Sequence, residues 1–545
     1  MDGADDRVTR LPSRQPGWLV LVLAAGPVAG LAVFYFWPFL TLIAEAVTGE
    51  TVADALTRRT TWNVAWFTMW QATISTALTI LVGLAPAYVF ARYRFPGRQL
   101  LVGLLTALFV LPTVVMGAAF LALLPSSLDR TVWAVIGAHV AFNLAVVVRL
   151  VGALWEHLPT DMESAAATLG ASPRRVFTEI SLPLIRPAIT AAAAIVFLFT
   201  FTSFGVIRVL GAPGTRTIEV EIWRRATQLG RVGEAAVLAL LQLVVLAVIV
   251  LWSTLSQRRH SRALGLEPLT LRRAPRGRGE RRLVLAVAAA TAVVAAVPLV
   301  ALAARSFSTP TGWSTAGWTN LGRTDIRPGI RIGIDPIEAL GNSLRTALWA
   351  TLIAVVIGGV ASLAIAAAGR SGRFLDVGLM LPLATSAVTI GFGMLITFDT
   401  SPTDWRASWW LLPVGHALVA VPFVVRSAVG VLRSVDPAMI GAAATLGASP
   451  VRAWREIVVP YLWQPLAVGA ALAAAISLGE FGATSLLSRS GSETLPIAIE
   501  QLLGRTGSIL QAQGYALATL LAVATMLLVA LVDKAQLFRQ GQRQP

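Results

Sequence analysis

Long apolar runs alternate with short polar intervals along this chain, and the runs have the length that crosses a bilayer. The first sixteen residues are polar and carry Arg7, Arg10 and Arg14; from Gly17 to Val47 the chain is almost wholly apolar, interrupted by Pro27 and Pro38. That run is too long for the apolar core of a secretory signal, and no small-residue cleavage site follows it. It predicts a membrane anchor helix of about twenty residues. Further runs lie at roughly 62–90, 99–124, 132–155, 187–208 and 233–255. A second series follows near 283–304, 340–368, 374–398, 408–432, 464–487 and 512–533. Each run suits a hydrocarbon core about 30 Å thick. Without water to satisfy backbone groups there, helix is the default for each run. The expected fold is therefore an all-α membrane protein of about 12 transmembrane helices.

The polar intervals hold an internal repeat. Ala165–Pro173 reads Ala-Ala-Ala-Thr-Leu-Gly-Ala-Ser-Pro, and Ala442–Pro450 repeats it letter for letter, 277 positions later. At the same offset Arg175, Glu179, Ile180 and Pro183 fall on Arg452, Glu456, Ile457 and Pro460. Phe204-Gly205 falls on Phe481-Gly482, Arg149 on Arg426, His139 on His416 and Trp133 on Trp410. Such a repeat fixes the architecture before anything else: two tandem six-helix halves. The boundaries read as a first half at 1–257 (core about 62–257), a linker at 258–282 and a second half at 283–545 (core about 340–535).

Composition agrees. Hydrophobic residues make up 56% of the chain and charged residues 13%, with a mean hydropathy of +0.72, against about 25% charge in soluble proteins. Cysteine is absent, which removes disulfides, thiol chemistry and Cys-based metal sites. The net charge of +16 raises nucleic acid as a partner, but the arginines sit where the positive-inside rule places them. With the N-terminus inside, the inside intervals hold Arg92, Arg94 and Arg98, then Arg174 and Arg175, then the linker with nine arginines against two glutamates. Arg370, Arg373, Arg452, Arg455, Lys534 and Arg539 follow on the same side, while Arg216, Arg224, Arg225 and Arg231 form an exception in an outer interval. Few aromatics interleave the linker arginines, so base stacking has no platform. The linker reads as a solvated connector against anionic headgroups, and nucleic acid is not an expected partner.

The duplicated interval resembles the EAA loop of membrane subunits in ATP-binding-cassette importers, with an Ile-x-Leu/Val-Pro about ten residues after the Gly. That resemblance implies a coupling helix that docks on a separate ATPase subunit. The implied docking residues are Ala165, Ala166, Leu169, Gly170, Ala171, Ser172, Pro173 and Arg175, and in the second copy Ala442, Ala443, Leu446, Gly447, Ala448, Ser449, Pro450 and Arg452. The family glutamate six residues before the Gly is Ser164 in the first copy and Gly441 in the second; Glu163 sits one position early in the first copy alone. Thr217–Trp223, with Leu240-Leu241-Gln242-Leu243 downstream, is similar to thiamine and ferric-iron permeases with fused halves. Implied partners are two copies of one ATPase, an extracytoplasmic substrate-binding protein and the bilayer. The implied place is a bacterial cell membrane with both termini cytoplasmic.

Ionisable residues inside the spans are few. Glu480, in Leu-Gly-Glu-Phe-Gly-Ala, is the sharpest; its counterpart is Ser203. A charge at that depth is a pathway candidate by default, which puts Ser203, Phe204, Glu480 and Phe481 on the pathway; a helix cap or interhelical hydrogen bond is the competing reading. Arg149 and Arg426 read as interhelical or gate anchors, and His139 and His416 as packing or hydrogen-bonding residues. No catalytic residue, metal or cofactor is expected. No Walker sequence occurs and Lys534 is the single lysine, so the ATPase must be another chain. A membrane-embedded enzyme would need clustered His, Asp or Glu, and a passive channel needs no duplicated docking loops. Thiamine or ferric iron leads as substrate, with sulfate, molybdate and polyamine behind.

Overall fold

The computed structural model describes residues 17–47, 49–158, 160–212, 214–260, 272–310, 312–323, 325–327, 330–331, 333–369, 371–399 and 403–541. Ten described helices are long and apolar enough to span a membrane, and two bent pairs raise the number to 12 if each counts as one span. Among the described residues the strands form two minimal antiparallel pairs, Ser308–Thr309 with Gly312–Trp313 and Asp325–Arg327 with Ile330–Arg331.

The bent pairs depart from the simple spans expected at 99–124 and 374–398. Helix Arg98–Val110 turns by 109° into Thr113–Leu123, and Gly372–Ala384 turns by 96° into Ala387–Phe398. In the first pair the cause is Pro112: the residue before a proline is pushed out of helical geometry, and Leu111 has ψ 139°. In the second, Thr385 is extended and Ser386 restarts the chain as an N-cap, its Oγ accepting Thr389 N–H at 3.0 Å.

The chain packs as two compact units. One comprises 46–321 and 499–522. Its centre is Arg59–Arg92, Val132–Glu156 and Pro173–Phe201, and helix Gly277–Ser306 lies along its bent pair. The other comprises 1–45, 322–498 and 523–545. Pro336–Ala368, Leu411–Arg433 and Val451–Gly479 form its centre, joined by helix Gly17–Ala46. Helix Gly17–Ala46 runs through Pro27 and opens into one π turn, Ala32–Phe36, just ahead of Pro38. A wide turn there accommodates a ring that has no N–H to give. It also aims Tyr35 at the break of the bent pair, where its hydroxyl meets Thr385 Oγ1 at 2.6 Å.

Helices enter the predicted linker 258–282 from both sides. Helix Val232–His260 reaches into its start, helix Gly277–Ser306 occupies its end, and 261–271 lie outside the described residues.

Candidate functional site

Both duplicated loops are built alike from the backbone upward. Helix Thr160–Thr168 ends at Gly170 with Ala171 N–H on Ala166 O and Gly170 N–H on Ala167 O, both 3.0 Å. Helix Pro437–Thr445 ends at Gly447 with Ala448 N–H on Ala443 O and Gly447 N–H on Ala444 O, again 3.0 Å. This paired closure is the Schellman motif, which needs a left-handed residue after the cap. Gly170 has φ +84° and Gly447 φ +83°. A Cβ at either glycine would meet open space, so the requirement is conformational, not a close approach. Ser172 and Ser449 then cap the next turn, their hydroxyls accepting Arg175 N–H (3.4 Å) and Arg452 N–H (3.3 Å). Arg175 Nε bonds Glu179 at 2.9 Å and Arg452 Nε bonds Glu456 at 3.0 Å. Each second helix contains a π turn, Phe177–Ser181 or Trp454–Val458, immediately before the repeated Pro183 or Pro460.

The result is two outward tips of one shape. Leu169 is 89% exposed and Leu446 88%. Ala165, Ser172, Ala442 and Ser449 are exposed, while Ala166, Ala171, Ala443 and Ala448 are half-buried. Each tip thus presents one exposed leucine carried on small residues.

Behind the tips the loops differ. The first rests on Trp155, Leu158 and Ile185, with the Phe177 ring stacked on Trp155 at 6.3 Å. The second rests on Leu432, Val435, Ile440, Trp454, Val458 and Leu462. At the 277-residue offset Trp155 corresponds to Leu432 and Phe177 to Trp454, so the bulky ring has changed sides. Glu163 corresponds to Ile440 and Ser181 to Val458, so a polar contact stands where an apolar one does.

The Phe-Gly repeats mark breaks in two long helices. Pro173–Phe201 stops before Gly205–Leu210, and Val451–Gly479 stops before Thr484–Leu487. Contact with neighbours disfavours a side chain at both glycines. A Cβ on Gly205 would overlap Thr113 Oγ1 and Val114 N, and one on Gly482 would sit 3.0 Å from Val388 Cγ2 and 3.1 Å from Val388 N, so that Val388 would have to give. Each break is thus pressed onto the second arm of the bent pair in its own unit. A histidine holds each one: His139 Nε2 lies 2.8 Å from Ser203 Oγ, and His416 contacts Ser477 (2.8 Å), Thr484 (2.7 Å) and Glu480 (3.3 Å). Hydrogen bonding by the histidines is therefore what the structure has.

Glu480 is 7% exposed and caps the short helix after the break. It accepts Ala483 N–H at 2.9 Å, Thr484 N–H at 3.0 Å and Thr484 Oγ1–H at 2.8 Å. Ser203, Phe204 and Phe481 are buried beside their breaks. Arg426 reaches across to the neighbouring helix, 3.5 Å from Asp376 and 3.2 Å from Met380 Sδ. Arg149 is exposed, and no ion pair joins it to the described residues.

Sequence reasoning missed several polar partners. Arg92 Nη2 donates to Glu163 at 3.1 Å, and Ser181 Oγ donates to the same carboxylate oxygen at 2.8 Å. The outer arginines that broke the charge pattern also have partners. Arg216, Arg224 and Arg225 converge on Glu221; Arg58, Arg225 and Arg231 converge on Glu234. Burial pushes the Glu221 carboxyl up, but its hydrogen bonds and charge pairing with Arg224 and Arg225 outweigh that and hold it below the ordinary carboxylate range. The signal for the first group was present: positions 92, 163 and 181 all change chemical type at the repeat offset, to Gly369, Ile440 and Val458. Among the described residues no cluster of His, Cys, Asp or Glu could hold a metal.

Known proteins resemble the chain over most of its length. The family described as "Binding-protein-dependent transport system inner membrane component" matches residues 80–264, and the internal repeat carries the same loop into the second half. The thiamine transport system permease protein ThiP of Brucella abortus is 28% identical over 556 residues, 95% of this chain and 96% of its own. The Escherichia coli protein of the same name is 27% identical over 558 residues, 96% of this chain and 98% of its own. A "Putative 2-aminoethylphosphonate transport system permease protein PhnV" of Salmonella typhimurium is 31% identical over 198 residues, 36% of this chain and 74% of its own. The chain belongs to the family of binding-protein-dependent inner-membrane transport components: it is the permease of an ATP-binding-cassette importer, with two halves fused in one polypeptide.

Proposed function

We propose that this permease carries thiamine inward and is driven by two copies of a separate ATPase that dock on the loops around Leu169 and Leu446. The matched presentation of these two leucines carries the docking reading: one partner surface could accept either tip. ATP-driven closure of the ATPase pair then moves the two loops and rocks one half against the other, giving alternating access. Both loops and the linker face the cytoplasm on this reading, with an exported thiamine-binding protein on the opposite side. Thiamine is favoured because relatives similar along 95–96% of the chain, from Brucella abortus and Escherichia coli, are named as thiamine permeases. Ser203, Phe204, Glu480 and Phe481 shape the helix breaks that flank the pathway. Glu480 acts there as a cap, since its carboxylate is already engaged. Arg426 anchors two helices near the inner end, and Arg149 occupies the equivalent place.

The experiment is uptake of labelled thiamine into cells lacking their own transporter, with the ATPase co-purified. Leu169→Asp and Leu446→Asp should each abolish uptake and weaken ATPase recovery. Full ATPase recovery with both variants would reject the docking reading; robust ATPase binding without thiamine uptake by the unaltered chain would reject the substrate.

A further inference from the structure

The linker does not hang free where it rejoins the first half. Arg273 N–H donates to Arg92 O at 3.1 Å, and Arg94 N–H donates to Arg273 O at 2.9 Å. Arg273 thus forms a one-residue parallel bridge with Tyr93, the residue that follows helix Arg59–Arg92. Two side-chain clusters fix it. Arg273 forks onto Glu280 at 2.6 and 2.7 Å with its guanidinium over the Tyr93 ring, and Arg272 shares Glu156 with Arg98 at 2.8 and 3.2 Å. The residue so fixed is Arg92, and its side chain points the other way, into the first duplicated loop. It donates to Leu158 O at 3.2 Å and to Glu163 at 3.1 Å, while Ser181 completes the carboxylate's shell at 2.8 Å. Arg92 is buried and Glu163 half-buried. A pair so placed is strongly felt when one partner is lost, because the other charge stays behind unpaired.

None of this recurs in the second loop. Gly369, Ile440 and Val458 occupy the corresponding positions, and Ile440 and Val458 are buried in an apolar cluster with Trp454. From this asymmetry we infer that Arg92 and Glu163 are positioning residues of energy coupling. They form a polar brace, running from the linker through Arg92 to Glu163 and Ser181, that holds the first docking helix and not the second. The inference rests on the docking reading above. The brace stiffens the first loop so that a push at Leu169 moves the helix bundle and is not lost in movement of the loop. The second loop obtains the same stiffness from apolar packing. The linker's end is therefore a working part of the first docking site, and the two loops answer differently to charge substitution.

The test uses the full chain, whose lack of cysteine leaves single introduced cysteines unambiguous. A nitroxide on Leu169→Cys or on Leu446→Cys reports local motion. Glu163→Gln should shift the spectrum at 169 toward the faster component and leave 446 unchanged. In the reconstituted complex Glu163→Gln and Arg92→Gln should each lower thiamine moved per ATP hydrolysed by about fivefold or more, with ATP hydrolysis continuing. The double variant should be no worse than either alone, since both remove one link. Ser181→Ala, the mildest change, should give the same defect in smaller measure and covers the case of an unstable arginine variant. An unchanged spectrum at 169, or additive losses in the double variant, would overturn the brace. If Leu169→Asp still binds the ATPase fully, the docking reading has failed instead. Unaltered coupling in Glu163→Gln beside lost docking in Leu169→Asp would reject the brace alone.

Discussion

At the residue scale, the glycines of the duplicated loops show why open space does not mean tolerance. Gly170 and Gly447 have nothing near their Cβ positions, yet both sit at positive φ, where an L side chain costs about 1–2 kcal/mol. Gly170→Asn should therefore retain most ATPase binding, because asparagine visits that region, while the smaller Gly170→Ala and the β-branched Gly170→Val lose progressively more. ATPase recovery on affinity-tagged permease measures the order; a ranking by side-chain volume would contradict the conformational account. Glu221 gives the pH prediction. Its folded carboxyl is held below the ordinary range, so its stabilisation is fully present at neutral pH and is lost as the pH falls through that lowered value. Glu221→Gln should cost about 1–3 kcal/mol at neutral pH, because buried Arg225 loses one of its two carboxylate partners and keeps Glu234. Part of the acid limb of Tm against pH should flatten with it. Glu480 was legible as an unusual intramembrane acid. Its partners were not, because Ala483 and Thr484 offer backbone N–H groups that no side-chain pattern reveals.

At the scale of elements, apolar run length located the spans well and their shape poorly. A run of about 25 residues reads the same whether the helix is straight or turns back on itself, because hydropathy carries no direction. The bends at 111–112 and 385–386 depend on one proline and one capping serine. The duplicated loops were readable because their geometry is local: a Schellman closure, a serine cap and a proline-driven π turn are each set by a few adjacent residues. The brace joins residues 71 and 18 positions apart, so only the fold brings it together. The histidine staples invite a test. His416→Ala frees Ser477 and Thr484 and withdraws a neighbour from Glu480, and should lower Tm in detergent. His139→Ala, which loses Ser203 and a longer 3.4 Å contact to Ser75, should cost less. Equal losses would argue that ring packing, not hydrogen bonding, is what the histidines supply.

For the whole molecule, the sequence halves and the compact units are different divisions. The unit around the first half includes helix Gly277–Ser306 and residues 499–522, and the unit around the second includes residues 1–45. Covalent order and packing order have come apart, and a repeat at constant offset cannot report that, since flanking helices carry no repeated motif. Residues 1–266 and 267–545 expressed separately should therefore each accumulate poorly in membranes. Expressed together they should recover most of the intact yield, because the severed bond lies in the stretch that the sequence marks as the linker. Reporter fusions at 157–185, 258–282 and 434–462 should all read cytoplasmic.

The unequal backing of two equal loops has a genetic consequence. In an importer assembled from two identical membrane chains, any codon change strikes both docking points at once, and a lethal defect hides which one mattered. Here, on the docking proposal, each contact point has its own codons and its own chemistry underneath. Selection can retune one half-stroke of the cycle while the other stays as it was, and an experimenter can do the same with a single substitution.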